Sequence, residues 1–130
     1  MIPKNIIYTY KDHKSGEGFS FPPMYEENLY LLKRFNPEYN YLFFSDNDMD
    51  EFIKTNYNDY YGFYKNLPKI IMKTDFFRLL AVYHYGGFYF DMDMRVTKNL
   101  DDLLDNKCVF PLEWQMSEDY FNVRHRVKFN

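Results

Sequence analysis

Residues 68–94, PKIIMKTDFFRLLAVYHYGGFYFDMDM, carry the clearest structural signal in the chain. Pro68 before a long apolar run is typical of a helix start, because the first helical turn needs no amide donor at that point. Gly86-Gly87 predicts the helix end, since glycine readily adopts the left-handed conformation found there. The aromatic run that follows predicts a strand. The segment is therefore predicted to form a helix over 68–85 and a strand over 88–94.

Strand and helix signals alternate along the rest of the chain. Further strands are predicted at 4–10, 39–44 and 107–112. Helices are predicted at 24–34 and 47–55, with shorter helical pieces within 57–66 and 97–104. This order predicts one α/β domain over residues 1–130, with a largely parallel sheet flanked by helices.

Composition narrows the function classes. The net charge of −3 leaves no basic field for nucleic acid, so that class is disfavoured. Cys108 is the single cysteine, which excludes an intrachain disulfide and predicts a buried core thiol. The chain has neither a signal-peptide pattern nor the ~18 consecutive apolar residues of a membrane span, so we expect a soluble, cytoplasmic protein.

Asp91 and Asp93 are the strongest chemical signal. Side chains alternate along a strand, so a strand over 88–94 places both carboxylates on one face, where they repel each other. A divalent cation removes that penalty, and all-oxygen ligands favour Mg²⁺ or Mn²⁺. The alternative is a solvated pair at a strand end, because the triplet alone is common. A location at the carboxyl end of a strand, where ligands bind in such sheets, favours the metal.

Asp75 and Arg78 form a second signal, set into an apolar stripe of the long helix. One interpretation is a mutual salt bridge between residues three apart. The other is that Asp75 accepts hydrogen bonds from hydroxyl groups while Arg78 contacts a hydroxyl or phosphate oxygen, a role that suits its rigid donor fork.

Residues that end the first two strands complete the candidate set. Thr9 and Tyr10 follow the first strand, where Tyr10 is either a core aromatic or a ring that stacks on a base. Ser45 follows the second strand and either faces the same crevice or caps the next helix. We interpret the three histidines, at positions 13, 84 and 125, as structural or solvated.

Several of these segments together resemble glycosyltransferases with the DXD sugar-binding motif, of the family 32, initiating mannosyltransferase and capsular polysaccharide type. The main similarity is Thr74-Asp75-Phe76-Phe77-Arg78 followed by the run YHYGGFYFDMD at 83–93. Shorter similarities occur at 2–4, 35–41, 46–48 and 99–104. The resemblance extends from residue 2 to about residue 113.

The resemblance implies a GT-A-like fold and a metal-dependent, retaining transferase that uses a UDP- or GDP-sugar. It implies that Asp91 and Asp93 are catalytic, with Asp93 ligating Mn²⁺ or Mg²⁺ and Asp91 contacting the ribose or the metal shell. It further implies that Asp75 and Arg78 bind the donor's sugar or ribose. The predicted donor site also includes Thr9, Tyr10, Ser45 and Gly87. Tyr10 stands where the family usually has a base-stacking Trp, and Glu113 matches an acidic position of the family.

Two alternatives remain open at the level of sequence. The chain ends 37 residues after Asp93, whereas family members continue into an acceptor site, so a non-catalytic nucleotide-sugar-binding remnant is one alternative. The other is a phosphohydrolase of the haloacid dehalogenase type, in which Asp91 attacks phosphate and Asp93 is the general acid/base. Arg95 argues against the second, because Thr or Val is expected there.

Overall fold

The structure is a computed structural model and describes residues 1–11 and 20–111. Within these residues a parallel sheet has the strand order β2-β1-β3, formed by β1 (Asn5–Thr9), β2 (Asn40–Phe44) and β3 (Phe88–Tyr89). Thr9 pairs with Phe44, and Ile7 pairs with Tyr89, so the carboxyl ends of all three strands meet at one edge. The prediction of an α/β fold with a parallel sheet is confirmed.

Helices connect the strands, as the pattern predicts. They are α1 (Pro23–Phe35), α2 (Asp46–Asn56), α3 (Asn58–Lys65) and α4 (Ile70–Tyr85), followed by a 3₁₀ turn at Asp101–Leu103. Ser45 starts α2 through a capping box with Asp48, which satisfies two backbone donors at once. The predicted start of α4 at Pro68 is two residues early. Lys69 is extended there, and its carbonyl accepts the first hydrogen bonds of the helix.

Each face of the sheet covers its own apolar core. On one side Ile6 and Tyr8 pack with Leu32 of α1 and with Leu100 and Leu104 beyond β3. On the other side Ile7 packs under α2, α3 and α4, whose buried members are Met49, Phe52, Ile53, Tyr64, Phe77 and Ala81. Strand alternation sends successive β1 side chains to opposite layers, which fixes α1 on one face and the other helices on the second.

The glycine pair ends α4 as predicted, and close packing gives it a second reason. Gly86 and Gly87 have φ values of 65° and 103°. A Cβ atom on Gly87 would lie 2.3 Å from the carbonyl oxygen of Asn5, and one on Gly86 would lie 2.6 Å from Cγ of Pro3. The pair therefore lets the chain turn from α4 into β3 against the start of β1.

Two strand predictions are wrong. The strand predicted over 88–94 ends at Tyr89, and the Met94 amide donates to the Asp91 carbonyl at 3.0 Å, which closes a turn over 91–94. Strand alternation therefore does not place Asp91 and Asp93 on one face. The strand predicted at 107–112 does not form over 107–111. These five residues are exposed and pair with no strand of the described chain. Residue 112 lies outside the residues that the structure describes.

Across residues 1–11 and 20–111, none of the helices has both the length and the apolar character that a membrane span requires.

Candidate functional site

The predicted site residues lie at or near the edge of the sheet where the strands end. Thr9 closes β1, Ser45 follows β2, and Asp91 follows β3 by two residues. The Phe90 amide donates to the Ile7 carbonyl at 3.0 Å, so the chain stays attached to β1 up to the residue before Asp91. The backbone is therefore held in place up to the residue before Asp91, whose carboxylate lies at the open edge of the sheet.

Arg78 of α4 joins the second signal to the first. Its Nη2 donates to Oδ1 of Asp75, and its Nη1 lies 3.6 Å from Oδ2 of Asp91. The guanidinium also lies over the Tyr89 ring, 4.9 Å from the ring centre. Its Nε atom is buried and, among the described residues, has no hydrogen-bond partner. The predicted salt bridge between Asp75 and Arg78 is present, and Arg78 also contacts Asp91, the first residue of the turn over 91–94.

The surroundings of this ion pair differ from the predicted apolar stripe. Ile71 and Val82, which share its helix face, are exposed. The side chains of Asp75 and Asp91 are 59% and 48% exposed, so a solute can reach both. The charges are tolerated at this position because solvent reaches both carboxylates, although Arg78 itself is partly buried over Tyr89.

Tyr89, on β3, contacts both Thr9 and Arg78, a role that the sequence did not reveal. Its hydroxyl forms a 3.0 Å hydrogen bond with the Thr9 hydroxyl, in which either group is the donor. Burial raises the Tyr89 pKa to about 12, with the Thr9 bond and Arg78 opposing and Asp91 reinforcing the rise. The phenol therefore stays neutral near pH 7, and its hydrogen bond to Thr9 links β3 to β1.

Tyr10 belongs to an aromatic cluster beside the end of β1. Its ring packs edge-on against Phe21 at 5.1 Å and against Tyr25 at 5.9 Å between ring centres. Its amide donates to the Phe44 carbonyl at 3.2 Å, which continues the pairing with β2. The ring is partly exposed, so it packs against its neighbours and still presents surface to solvent.

Ser45 and Gly87 have structural roles that account for them. The Ser45 hydroxyl accepts from the Asp48 amide at 3.2 Å, the helix-cap alternative. Gly87 provides the close approach to Asn5. The residues that the structure brings into contact are Asp75, Arg78 and Asp91, together with Thr9 through Tyr89.

Asp93 lies in the turn and is exposed, and within the described chain it takes part in no ion pair. Over the same residues, no cluster of three or more His, Cys, Asp or Glu side chains forms a ready-made cage for a metal ion. Two carboxylates in an open turn nevertheless fit Mg²⁺ or Mn²⁺, because such ions are commonly held by one or two carboxylates plus substrate phosphates and water.

Helix α1 holds the turn from the opposite side, a second feature that the sequence analysis missed. Asn28 donates from Nδ2 to the Met92 carbonyl at 3.0 Å. Arg95 lies 3.4 Å from Glu27. An asparagine on an otherwise apolar helix face is a signal for a buried polar contact, but the sequence does not identify Met92 as its partner.

The remaining candidates lie outside this group. His84 forms a 3.2 Å hydrogen bond with the Tyr57 hydroxyl and packs on Phe52, in agreement with a structural interpretation. Cys108 is exposed, so the prediction of a buried core thiol is wrong. It belongs to the exposed segment that forms no strand. His13, Glu113 and His125 lie outside the described residues.

Residues 24–110 match the family model described as a glycosyltransferase sugar-binding region containing a DXD motif. The chain is 38% identical over 103 residues to inositol phosphoceramide mannosyltransferase 3 of Schizosaccharomyces pombe, covering 79% of this chain and 27% of the relative. It is 34% identical over 111 residues to an initiation-specific alpha-1,6-mannosyltransferase of Candida albicans, covering 81% and 28%.

A mannosyl phosphorylinositol ceramide synthase of Saccharomyces cerevisiae is 32% identical over 104 residues, covering 80% of this chain and 26% of that protein. The chain thus spans about a quarter of the length of these relatives. No solved structure matches the chain significantly.

Proposed function

The chain belongs to the glycosyltransferases whose sugar-binding region contains a DXD motif, and we propose that it binds a nucleotide-sugar through a divalent cation and transfers the sugar to an acceptor. The observation that carries this proposal is the contact of Arg78 with both Asp75 and Asp91 at the carboxyl edge of the sheet. In parallel α/β sheets, ligands bind in the crevice beyond that edge.

Charge explains why a cation is needed. Asp75, Asp91 and Asp93 against Arg78 leave two net negative charges, which repel a diphosphate. One divalent cation neutralises them and attracts the diphosphate instead. We assign Asp93 as the direct ligand of Mn²⁺ or Mg²⁺, and Asp91 to the ribose or the metal shell. When bound, the ion supplies Lewis-acid stabilisation of the leaving diphosphate.

The protein's own groups bind and orient the donor. Arg78 has a planar fork of donors that can turn from Asp91 to a phosphate or sugar oxygen. Asp75 accepts hydrogen bonds from sugar or ribose hydroxyls. Thr9 and Tyr10 line the place of the base, where the partly exposed Tyr10 ring offers a stacking surface. Ser45 and Gly87 belong to the same proposed donor site beside their structural roles.

The relatives guide the choice of sugar. Two of the relatives reported above are named mannosyltransferases and the third a mannosyl phosphorylinositol ceramide synthase, which favours mannose as the transferred sugar. A glycan or other acceptor, a role in polysaccharide synthesis and retention of configuration are parts of the proposal that rest on the family.

A thermal-shift panel of UDP- and GDP-sugars, each with MnCl₂ or with EDTA, tests donor binding. We expect one nucleotide-sugar to stabilise the protein in MnCl₂ and not in EDTA, by about 2.7 kcal/mol at a hundredfold excess over Kd. Asp105→Ala is the matched control, because Asp105 is exposed and follows the 3₁₀ turn, outside the site. Absence of Mn²⁺-dependent stabilisation by every sugar of the panel contradicts the proposal.

Transfer is tested separately from binding. Incubation of a radiolabelled donor with Mn²⁺ and candidate acceptors should give a labelled glycan, or labelled free sugar by transfer to water. Tight binding without either product identifies a binding module and overturns the claim of catalysis.

A further inference from the structure

We propose that Asn28 is the positioning residue of the turn over 91–94, the proposed metal-binding turn, and that it holds Asp93 in the direction that a cation requires. The inference rests on the proposed function, because it concerns how the turn presents its carboxylates. Asn28 lies on α1, 64 residues before Met92, whose carbonyl it contacts. Its hydrogen bond goes to the Met92 backbone and not to the carboxylate of either aspartate, so we infer that its effect passes through the turn.

The buried state of Asn28 requires an explanation. The side chain is 6% exposed, and the cleft that it lines is otherwise bounded mainly by apolar side chains, namely Tyr8, Leu29, Leu32, Phe90, Met92 and Met94, together with Asp91. An apolar residue would fill the same place without losing a hydrogen bond to water. The 3.0 Å hydrogen bond from Nδ2 to the Met92 carbonyl compensates for the burial of the amide.

The geometry of the peptide unit transmits that bond to Asp93. The Met92 carbonyl and the Asp93 amide belong to one planar group, so fixing the carbonyl direction also fixes the Asp93 Cα. The Asp91 carbonyl accepts from the Met94 amide at 3.0 Å, which closes the turn from within. Asn28 thus fixes the turn's central peptide against the fold, and the internal bond fixes its ends relative to each other.

A neighbouring contact provides a matched control. Glu27 lies beside Asn28 on α1 and pairs with Arg95, one residue beyond the turn, at 3.4 Å. Both side chains are more than half exposed, and exposed pairs contribute little. The two residues link the same helix to the same loop, but only Asn28 reaches the peptide between the two aspartates.

The experiment compares wild type with Asn28→Leu, Asn28→Asp and Glu27→Gln. Calorimetry measures the Kd of UDP and of GDP with MnCl₂ and with EDTA, and paramagnetic resonance measures the Kd of Mn²⁺ alone. We expect both Asn28 variants to weaken Mn²⁺ binding and Mn²⁺-dependent nucleotide binding by about tenfold to a hundredfold, as outer contacts of metal ligands do. Glu27→Gln should bind like wild type.

The outcomes separate the inference from the proposed function. Wild-type binding that is retained in a folded Asn28 variant overturns the inference and leaves the function standing. Absence of Mn²⁺-dependent nucleotide binding in wild type overturns both.

A measurement on wild type covers the case in which the Asn28 variants do not fold. The side-chain amide of Asn28 is followed by ¹⁵N resonance while MgCl₂ and the tighter nucleotide are added, with Asn56 as the control. Asn56 donates to the Phe52 carbonyl at 3.0 Å within α2. The Asn28 signal should shift and its exchange with solvent should slow, while the Asn56 signal stays unchanged. An unmoved Asn28 signal overturns the inference.

Discussion

Arg78 and Asp91 are joined by a 3.6 Å contact between Nη1 and Oδ2 that links helix α4 to the first residue of the turn over 91–94. The same guanidinium donates to Asp75 and lies over the Tyr89 ring. Under the proposed function, a cation at Asp91 competes with Arg78 for the carboxylate, and a donor phosphate offers Arg78 a new partner. We therefore expect this contact to couple binding of the metal to binding of the donor.

Arg78→Ala tests this coupling. Loss of a charge-assisted contact costs ~1.5–3 kcal/mol, so donor affinity in Mn²⁺ should fall by about tenfold to a hundredfold. The affinity for Mn²⁺ alone should stay equal or rise, because the competitor for Asp91 is gone. Calorimetric titration of Mn²⁺, then of the donor, measures both. Arg95→Ala is the control, and equal weakening of both affinities by Arg78→Ala contradicts the coupling.

Asp93→Asn should remove the stabilisation that depends on Mn²⁺, because an amide replaces a charged oxygen ligand. Asp91→Asn should weaken it too and should also release Arg78 from its ion pair. Thermal melting with MnCl₂ and with EDTA separates the loss of metal binding from a loss of folding. Asp102→Asn is the control, since Asp102 is exposed in the 3₁₀ turn. A wild-type response to Mn²⁺ in Asp93→Asn would exclude Asp93 as the ligand.

The sequence predicts the order of strands and helices because burial periodicity, helix caps and glycines are local signals. Ser45 with Asp48, and Gly86 with Gly87, indicate element ends that the structure places within a residue or two. The length of β3 was not predictable in this way. Alternation of apolar and polar residues continues past Tyr89, and Phe90 and Met92 do pack on the core that Phe88 enters. After Phe90 the backbone no longer pairs with β1, and the Met94 amide instead bonds to the Asp91 carbonyl within the turn.

Residues that act through distant partners were beyond the sequence. Asn36 precedes Pro37, a sequence typical of an exposed turn, yet it is fully buried and accepts from the Leu100 amide at 2.8 Å while donating to the Lys98 carbonyl. Asn28 likewise meets Met92 only in the folded chain. The pairing of Arg78 with Asp75 is visible from helical spacing, whereas its contact with Asp91 needs β3 beside α4.

Gly87→Ala should destabilise the fold by at least about 2 kcal/mol, through strain at positive φ and a clash with the Asn5 carbonyl. Gly62 gives a matched control. It lies inside α3 with nothing within 4 Å of an added Cβ atom, so Gly62→Ala should stabilise by ~0.5–1 kcal/mol. Urea denaturation measures both changes. Equal effects of the two substitutions would mean that Gly87 is not needed for the close approach to β1.

The contact of Asp101 with Lys4 and Tyr39, at 3.0 Å and 2.9 Å, predicts a pH dependence of stability. Hydrogen bonds from Lys4 and then Tyr39 hold the Asp101 pKa below its usual value of 3.8. The folded state therefore binds the proton less readily than the unfolded state. The stabilisation is fully present above the unfolded pKa, and it is lost as the pH falls through the folded one.

Asp101→Asn should therefore lower stability at pH 7 and flatten its decline below about pH 4, because the variant has no carboxylate to protonate at this position. Urea midpoints measured from pH 7 down to pH 2 give the comparison. Asp102→Asn is the matched control, since Asp102 is exposed in the same 3₁₀ turn, whereas the Lys4 ammonium contacts Asp101 and Glu38. Asp101 and, to a smaller extent, Glu38 raise the Lys4 pKa, so wild type should lose stability as the pH rises above 10.5, and Asp101→Asn should lose less. Parallel acid limbs in wild type and Asp101→Asn would show that the ion pair does not link Lys4, just before β1, to the 3₁₀ turn in solution.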